Sequence, residues 1–131
     1  MSQKIFKAYG LTEIFCDIAG TLCIKGDEPG ESITNQDVLT FLRHMRDAHD
    51  CDITLCSRVE GNALARPSLT DEFTDVYGKA SYRDRLLPVL IDDNPNEYLK
   101  AQLTIHPDKL KGFTKIDPSE RAAFLKQLLP N

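Results

Sequence analysis

A chain of 131 residues has room for one domain built on one core, and its 41% hydrophobic and 27% charged residues are ordinary for a globular protein. No apolar run approaches the length of a membrane-spanning helix, and the Met-Ser-Gln-Lys-Ile-Phe-Lys start lacks the apolar stretch of a secretory leader. On those two grounds a cytoplasmic protein is the simplest reading, and a formal net charge of −4 offers no global field to draw in nucleic acid.

In chain order, residues 12–17 (Thr-Glu-Ile-Phe-Cys-Asp) are predicted as a buried first strand. Residues 23–33 are rich in Gly, Pro and charge, which predicts a loop or a small hairpin. A helix over 35–49 follows, capped by Thr34, with Val38, Leu42, Met45 and His49 recurring at helical spacing. Residues 52–56 predict a second strand ending at Ser57. Residues 60–80 give a short helix near 60–66, then irregular chain after Pro67. Residues 88–92 (Pro-Val-Leu-Ile-Asp) predict a third strand, and Asn94-Pro95-Asn96-Glu97 has the Asn cap, early Pro and third-position Glu of a helix start. A fourth strand is expected at 103–106, and Asp117-Pro118-Ser119-Glu120 repeats the capping pattern ahead of a final helix carrying Phe124, Leu125, Leu128 and Leu129.

Strands alternating with helices predict parallel pairing. Right-handed crossovers then bring every carboxyl end to one edge of the sheet. Asp17, Ser57, Asp92 and Asp93 all fall at such ends. The cysteines (Cys16, Cys23, Cys51 and Cys56) form no Cys-x-x-Cys pair and fit no common zinc spacing, so reduced structural thiols are expected. His44, His49 and His106 show no ligand spacing either.

Residues 14–22 read Ile-Phe-Cys-Asp-Ile-Ala-Gly-Thr-Leu: an apolar β-forming run, one carboxylate, then a Gly-Thr pair. This resembles the first motif of the haloacid dehalogenase superfamily, Asp-x-Asp-Gly-Thr, with Asp17 at the first Asp and Ala19 in place of the second. The resemblance extends along most of the chain. Ile-Thr-Leu-Cys-Ser57 is similar to the second motif, and Val-Leu-Ile-Asp92-Asp93 is similar to the fourth. It implies a three-layer, Rossmann-like α/β domain over 1–131 with a central, mostly parallel sheet and no large cap. It also implies an Mg²⁺-dependent phosphohydrolase that works through an aspartyl-phosphate.

On that reading Asp17 is the nucleophile, and Thr21, Ser57 and Arg58 bind the phosphorylated substrate. Mg²⁺ is held by Asp17, the carbonyl of Ala19 and Asp92 or Asp93. Lys79 neutralises charge, with Arg83 and Arg85 as alternatives. Ala19 stands where the general acid/base belongs, and a methyl group can neither protonate a leaving group nor activate water. Three origins of that alanine compete. One is an engineered replacement in an ordinary phosphatase. Another is loss of turnover, leaving a non-catalytic phosphate- or partner-binding module. The third is the chemistry of the phosphonoacetaldehyde-cleaving branch, which needs a lysine from a cap that this length does not accommodate. A capless site is open, which suits a bulky substrate such as a phosphoprotein or a nucleic-acid end, or closure by a second subunit; a small phosphate ester is the alternative.

Overall fold

The computed structural model describes residues 5–18, 20–25, 27, 32–57, 72–78, 86–93 and 100–129. The described elements are α1 (Ile5–Ala8), β1 (Glu13–Asp17), β2 (Cys23–Lys25), β3 (Ser32–Thr34), α2 (Gln36–His49) and β4 (Asp52–Ser57). They continue with β5 (Thr74–Gly78), β6 (Leu86–Ile91), β7 (Lys100–Ile105) and α3 (Arg121–Leu128), with short 3₁₀ turns over Pro107–Leu110, Phe113–Lys115 and Pro118–Glu120.

Five strands form one sheet in the order β5-β4-β1-β6-β7, every neighbouring pair parallel. The first strand is therefore central. The chain builds outward on one side through β4 and β5, then crosses back to build β6 and β7 on the other. The direction of build reverses between β1 and β6, and open α/β sheets offer a crevice at the carboxyl ends of such a strand pair. β2 and β3 form a separate antiparallel hairpin in which Ile24 faces Ile33.

Burial explains why β1 is an unbroken apolar run. Ile14, Phe15 and Cys16 are all within 1% of complete burial, as expected of a parallel strand covered on both faces. Ile14 and Cys16 join Leu55, Val89 and Ile91 in the larger core, against Phe6, Val38, Phe41, Leu42, Met45, Phe113 and Leu125. Phe15, Cys56, Leu87 and Leu90 form a second buried cluster.

Helix α2 lays Val38, Leu39, Phe41, Leu42 and Met45 onto the larger core. Each full burial of such an apolar side chain contributes about 1.5–3 kcal/mol. Phe41 meets Phe6 and Phe113 edge-on, with centroids 6.5 and 5.4 Å apart, and Phe113 in turn meets Phe124 at 5.4 Å. One aromatic chain thus ties α1, α2, the 113–115 turn and α3 together. The helix ends where Asp50 turns left-handed (φ 55°) and donates its N–H to the Met45 carbonyl.

Three sequence expectations are corrected. The cap of α2 is Asn35, whose Oδ1 accepts from the Val38 N–H at 3.3 Å, because Thr34 is still in β3, paired with Cys23. Asp117 makes no side-chain cap bond, and a 3₁₀ turn precedes α3. The chain expected to be irregular up to residue 80 contains β5, which extends the sheet beside β4. The expected helices near 60–66 and from Asn94 lie outside the described residues.

Two polar clamps hold the periphery. Asp37, in the first turn of α2, accepts from the Gly112 N–H (2.8 Å), the Thr114 N–H (3.0 Å) and the Thr114 hydroxyl (2.9 Å). Farther along α2, Arg43 grips Glu72 through two 2.8 Å bonds and Arg46 adds a third, which fixes the chain entering β5. Bonding to Arg43, then to Arg46, holds the Glu72 carboxyl at a pKa of about 2 rather than 4.5. Burial, aided by His49 and Arg121, holds His44 down at about 4 rather than 6.5. The Arg121 guanidinium can only donate, so at 3.4 Å it needs a bare Nδ1 on His44.

Both shifts depress the folded-state pKa, so each contribution to stability is full above the unfolded value and declines as pH falls toward the folded one. Melting temperature should drop between pH 6.5 and about 4 through His44, and between pH 4.5 and about 2 through Glu72. His44→Phe should flatten the first window and Glu72→Gln the second, read by calorimetry across pH. Asp37→Ala removes three bonds to a charged acceptor, two of them exposed, and should cost roughly 1–3 kcal/mol in urea unfolding at pH 7.

Candidate functional site

Asp17 is the last residue of β1, and Asp92 and Asp93 follow directly on β6, the neighbouring strand across the reversal point. The fold therefore carries three carboxylates to one place from positions more than seventy residues apart. Asp17, Asp92 and Asp93 each offer an oxygen, all within 4.8 Å of one another. Asp17 is 5% exposed and Asp92 1%, whereas Asp93 faces solvent. Two unit charges at that spacing repel by on the order of 3 kcal/mol at an effective dielectric of about 20.

The turn after β1 organises this group. The Thr21 and Cys23 amides both donate to the Ile18 carbonyl, and the Gly20 amide donates to Cys23, which coils residues 17–23 tightly. Thr21 is thereby fully buried, with its hydroxyl between the two strand ends. That hydroxyl lies 3.1 Å from Asp17 Oδ2 and 3.2 Å from Asp93 Oδ1, and it accepts the Asp93 backbone N–H at 3.0 Å. Gly20 has φ +84°, and a Cβ there would stand 2.5 Å from Asp93 Oδ2. Glycine is required twice over, by backbone conformation and by the approach of the carboxylate.

The donor set suits a small hard divalent cation. Three carboxylate oxygens, two of them on buried side chains, match the oxygen preference of Mg²⁺, and a cation would offset their mutual repulsion. Such a cluster is not specific to one ion. Among the described residues no other group of three or more His, Cys, Asp or Glu has a comparable spacing.

Ser57 ends β4, next to β1, with the register placing Asp17 opposite Cys56 and Ser57 beside Gly78. Its backbone therefore stands at the same carboxyl edge. Ala19, Arg58, Lys79, Arg83 and Arg85 lie outside the described residues. The four cysteines are buried and form no disulfide, and burial, then the neighbouring Cys56, raises the Cys16 thiol well above its ordinary range. Sequence reasoning singled out the acids and expected Thr21 to bind substrate; its fully buried hydroxyl instead bridges Asp17 and Asp93, which that reasoning missed. The only signal for it was the Gly-Thr pair itself.

No family model matches the chain, and it matches neither a curated protein nor a solved structure.

Gly20→Ala should displace Asp93 and strain the turn, at a cost of roughly 1–2 kcal/mol from the backbone alone. It should also weaken Mn²⁺ binding, read by electron paramagnetic resonance, at least tenfold. Thr21→Val keeps the side-chain volume but removes the bridge, and should lower the melting temperature by several degrees.

Proposed function

We propose that this chain is an Mg²⁺-dependent phosphohydrolase of the haloacid dehalogenase type on a three-layer, Rossmann-like domain, with Asp17 as nucleophile. The observation that carries the reading is the meeting of Asp17 with Asp92 and Asp93 at the carboxyl ends of β1 and β6, the place where such sheets bind ligands. Asp17, the Ala19 carbonyl and Asp92 or Asp93 would hold the ion. When bound, it neutralises the carboxylates and polarises the oxygens of the transferred phosphoryl group.

The protein's own part is positional and nucleophilic. Asp17 attacks phosphorus, and the bond to the leaving oxygen breaks as an acyl phosphate forms. Thr21 restrains the Asp17 carboxylate by holding Oδ2. Ser57 and Arg58 would take the non-bridging oxygens, and Lys79 would balance their charge. Water then cleaves the acyl phosphate. With Ala19 in the acid/base position, solvent must supply the proton to the leaving group and accept the one from water, so both steps are slow.

Ala19→Asp should raise hydrolysis of para-nitrophenyl phosphate by at least about a hundredfold, given that general acid–base catalysis contributes ~10²–10⁴-fold. Asp17→Asn in that background should abolish it. Ala19 also favours a second reading, a non-catalytic module that binds phosphate or a phosphorylated partner. That reading expects Mg²⁺ and phosphate binding by the unaltered chain and no gain in turnover from Ala19→Asp.

A further inference from the structure

A cavity of about 280 Å³ opens on the carboxyl edge of the sheet, lined by Ile24, Asn35, Gln36, Pro107, Asp108 and Lys111 among others. Its walls hang from backbone that also serves the acidic centre. On one side, Thr21 leads in three residues to Ile24, and the Leu22 carbonyl accepts the Asn35 N–H at 2.7 Å. On the other, the Ile105 carbonyl accepts the Asp92 N–H at 3.1 Å, and Pro107 stands two residues beyond. Each wall thus begins within roughly 11 Å of chain from a group bonded at the centre.

The lining chemistry is mixed. Asp108 and Lys111 are three apart on a 3₁₀ turn closed by the Lys111 N–H to the Asp108 carbonyl, so they share a face. Asn35 and Gln36 contribute amides, and Ile24 and Pro107 contribute apolar surface. The Asp37 carboxylate at the same wall is engaged by Gly112 and Thr114. Asp37, Asp108 and Lys111 leave one formal negative charge on the lining, which disfavours an anionic group there. Donors and acceptors stand side by side, and a hydroxyl, which is both, can meet either. The volume lies near the ~300 Å³ lower end of ligand clefts, enough for one ring-sized group and too small for a folded partner's loop.

We infer that this cavity receives the leaving group of the substrate, and that the substrate is a small phosphate monoester of a polyhydroxylated, uncharged group such as a sugar. The inference rests on the phosphohydrolase reading and selects the small-ester class over phosphoproteins and nucleic-acid ends. Hydroxyls bond to Gln36, Asp108 and Lys111, and the C–H faces of the ring rest on Ile24 and Pro107.

The test is calorimetric titration of the full chain in Mg²⁺ buffer with inorganic phosphate, glucose 6-phosphate, O-phosphoserine and adenosine 5′-monophosphate. Glucose 6-phosphate should bind at least about tenfold tighter than the other three. Lys111→Ala and Gln36→Ala should each cut that preference at least threefold, and Ile24→Trp, which fills the cavity, should erase it. All three positions are exposed, so an unchanged melting temperature separates lost preference from lost fold. Equal affinity for all four compounds, or a preference that survives the three substitutions, overturns the cavity assignment while leaving the phosphohydrolase reading standing. Tighter binding of phosphoserine or the nucleotide overturns the sugar class. Failure of every phosphate to bind removes the phosphohydrolase reading, and the cavity assignment falls with it.

Discussion

The hydroxyl of Thr21 has one proton and two carboxylates within reach, Asp17 at 3.1 Å and Asp93 at 3.2 Å. It can donate to only one of them at a time while accepting from the Asp93 amide. That arrangement joins the end of β1 to the end of β6, two strands that are sheet neighbours but lie far apart in the chain. It works only because Gly20 lets the turn coil close enough to place Thr21 between them. The position of Asp93, the shape of the turn and the spacing of the acidic group are therefore one constraint seen from three sides.

The remainder of the fold can be understood as support for that junction. A one-residue slip of β1 would exchange Phe15 with Ile14 and Cys16 between two differently packed cores and draw a terminal carboxylate into the apolar run, so Asp17 is delivered to a fixed height at the sheet edge. Helix α2 covers one face, and its first turn is tied to residues 112 and 114 through Asp37. The same segment continues from β7, whose last residue accepts the Asp92 amide. The acidic centre and the neighbouring cavity are thus held by the Asp92–Ile105 backbone bond and the Asp37 clamp on the segment that follows β7. The paired arginines at Glu72 secure the outer side of the sheet at the start of β5.

How much of this was legible in the sequence depended on the range of the interaction concerned. β1, β4 and β6 were visible because central parallel strands are nearly pure apolar runs, and the acids ending them stood out against those runs. The Gly and Pro content of 23–33 marked a loop or a small hairpin, and the pairing of β2 with β3 decides for the hairpin. β5 was not visible, since Thr-Asp-Val-Tyr-Gly alternates weakly and owes its strand character to pairing with β4. The choice between Thr34 and Asn35 as cap turned on where β3 stopped, which the pairing with Cys23 decides. The clamp from Asp37 to Gly112 and Thr114, and the bridge from Thr21 to Asp93, join residues more than seventy positions apart. No local pattern encodes such distances. The acidic centre was anticipated because its members each sit at a locally recognisable strand end.

All four thiols are sealed in the interior, on β1, β2, β4 and the approach to β4. They are distributed over the central strands and the hairpin rather than gathered in one spot. A sulfhydryl reagent would therefore find no target in the closed molecule, and each cysteine would react only as fast as its own surroundings part. The protein carries four chemical clocks, placed to show whether the hairpin beside the acidic centre opens alone or together with the sheet.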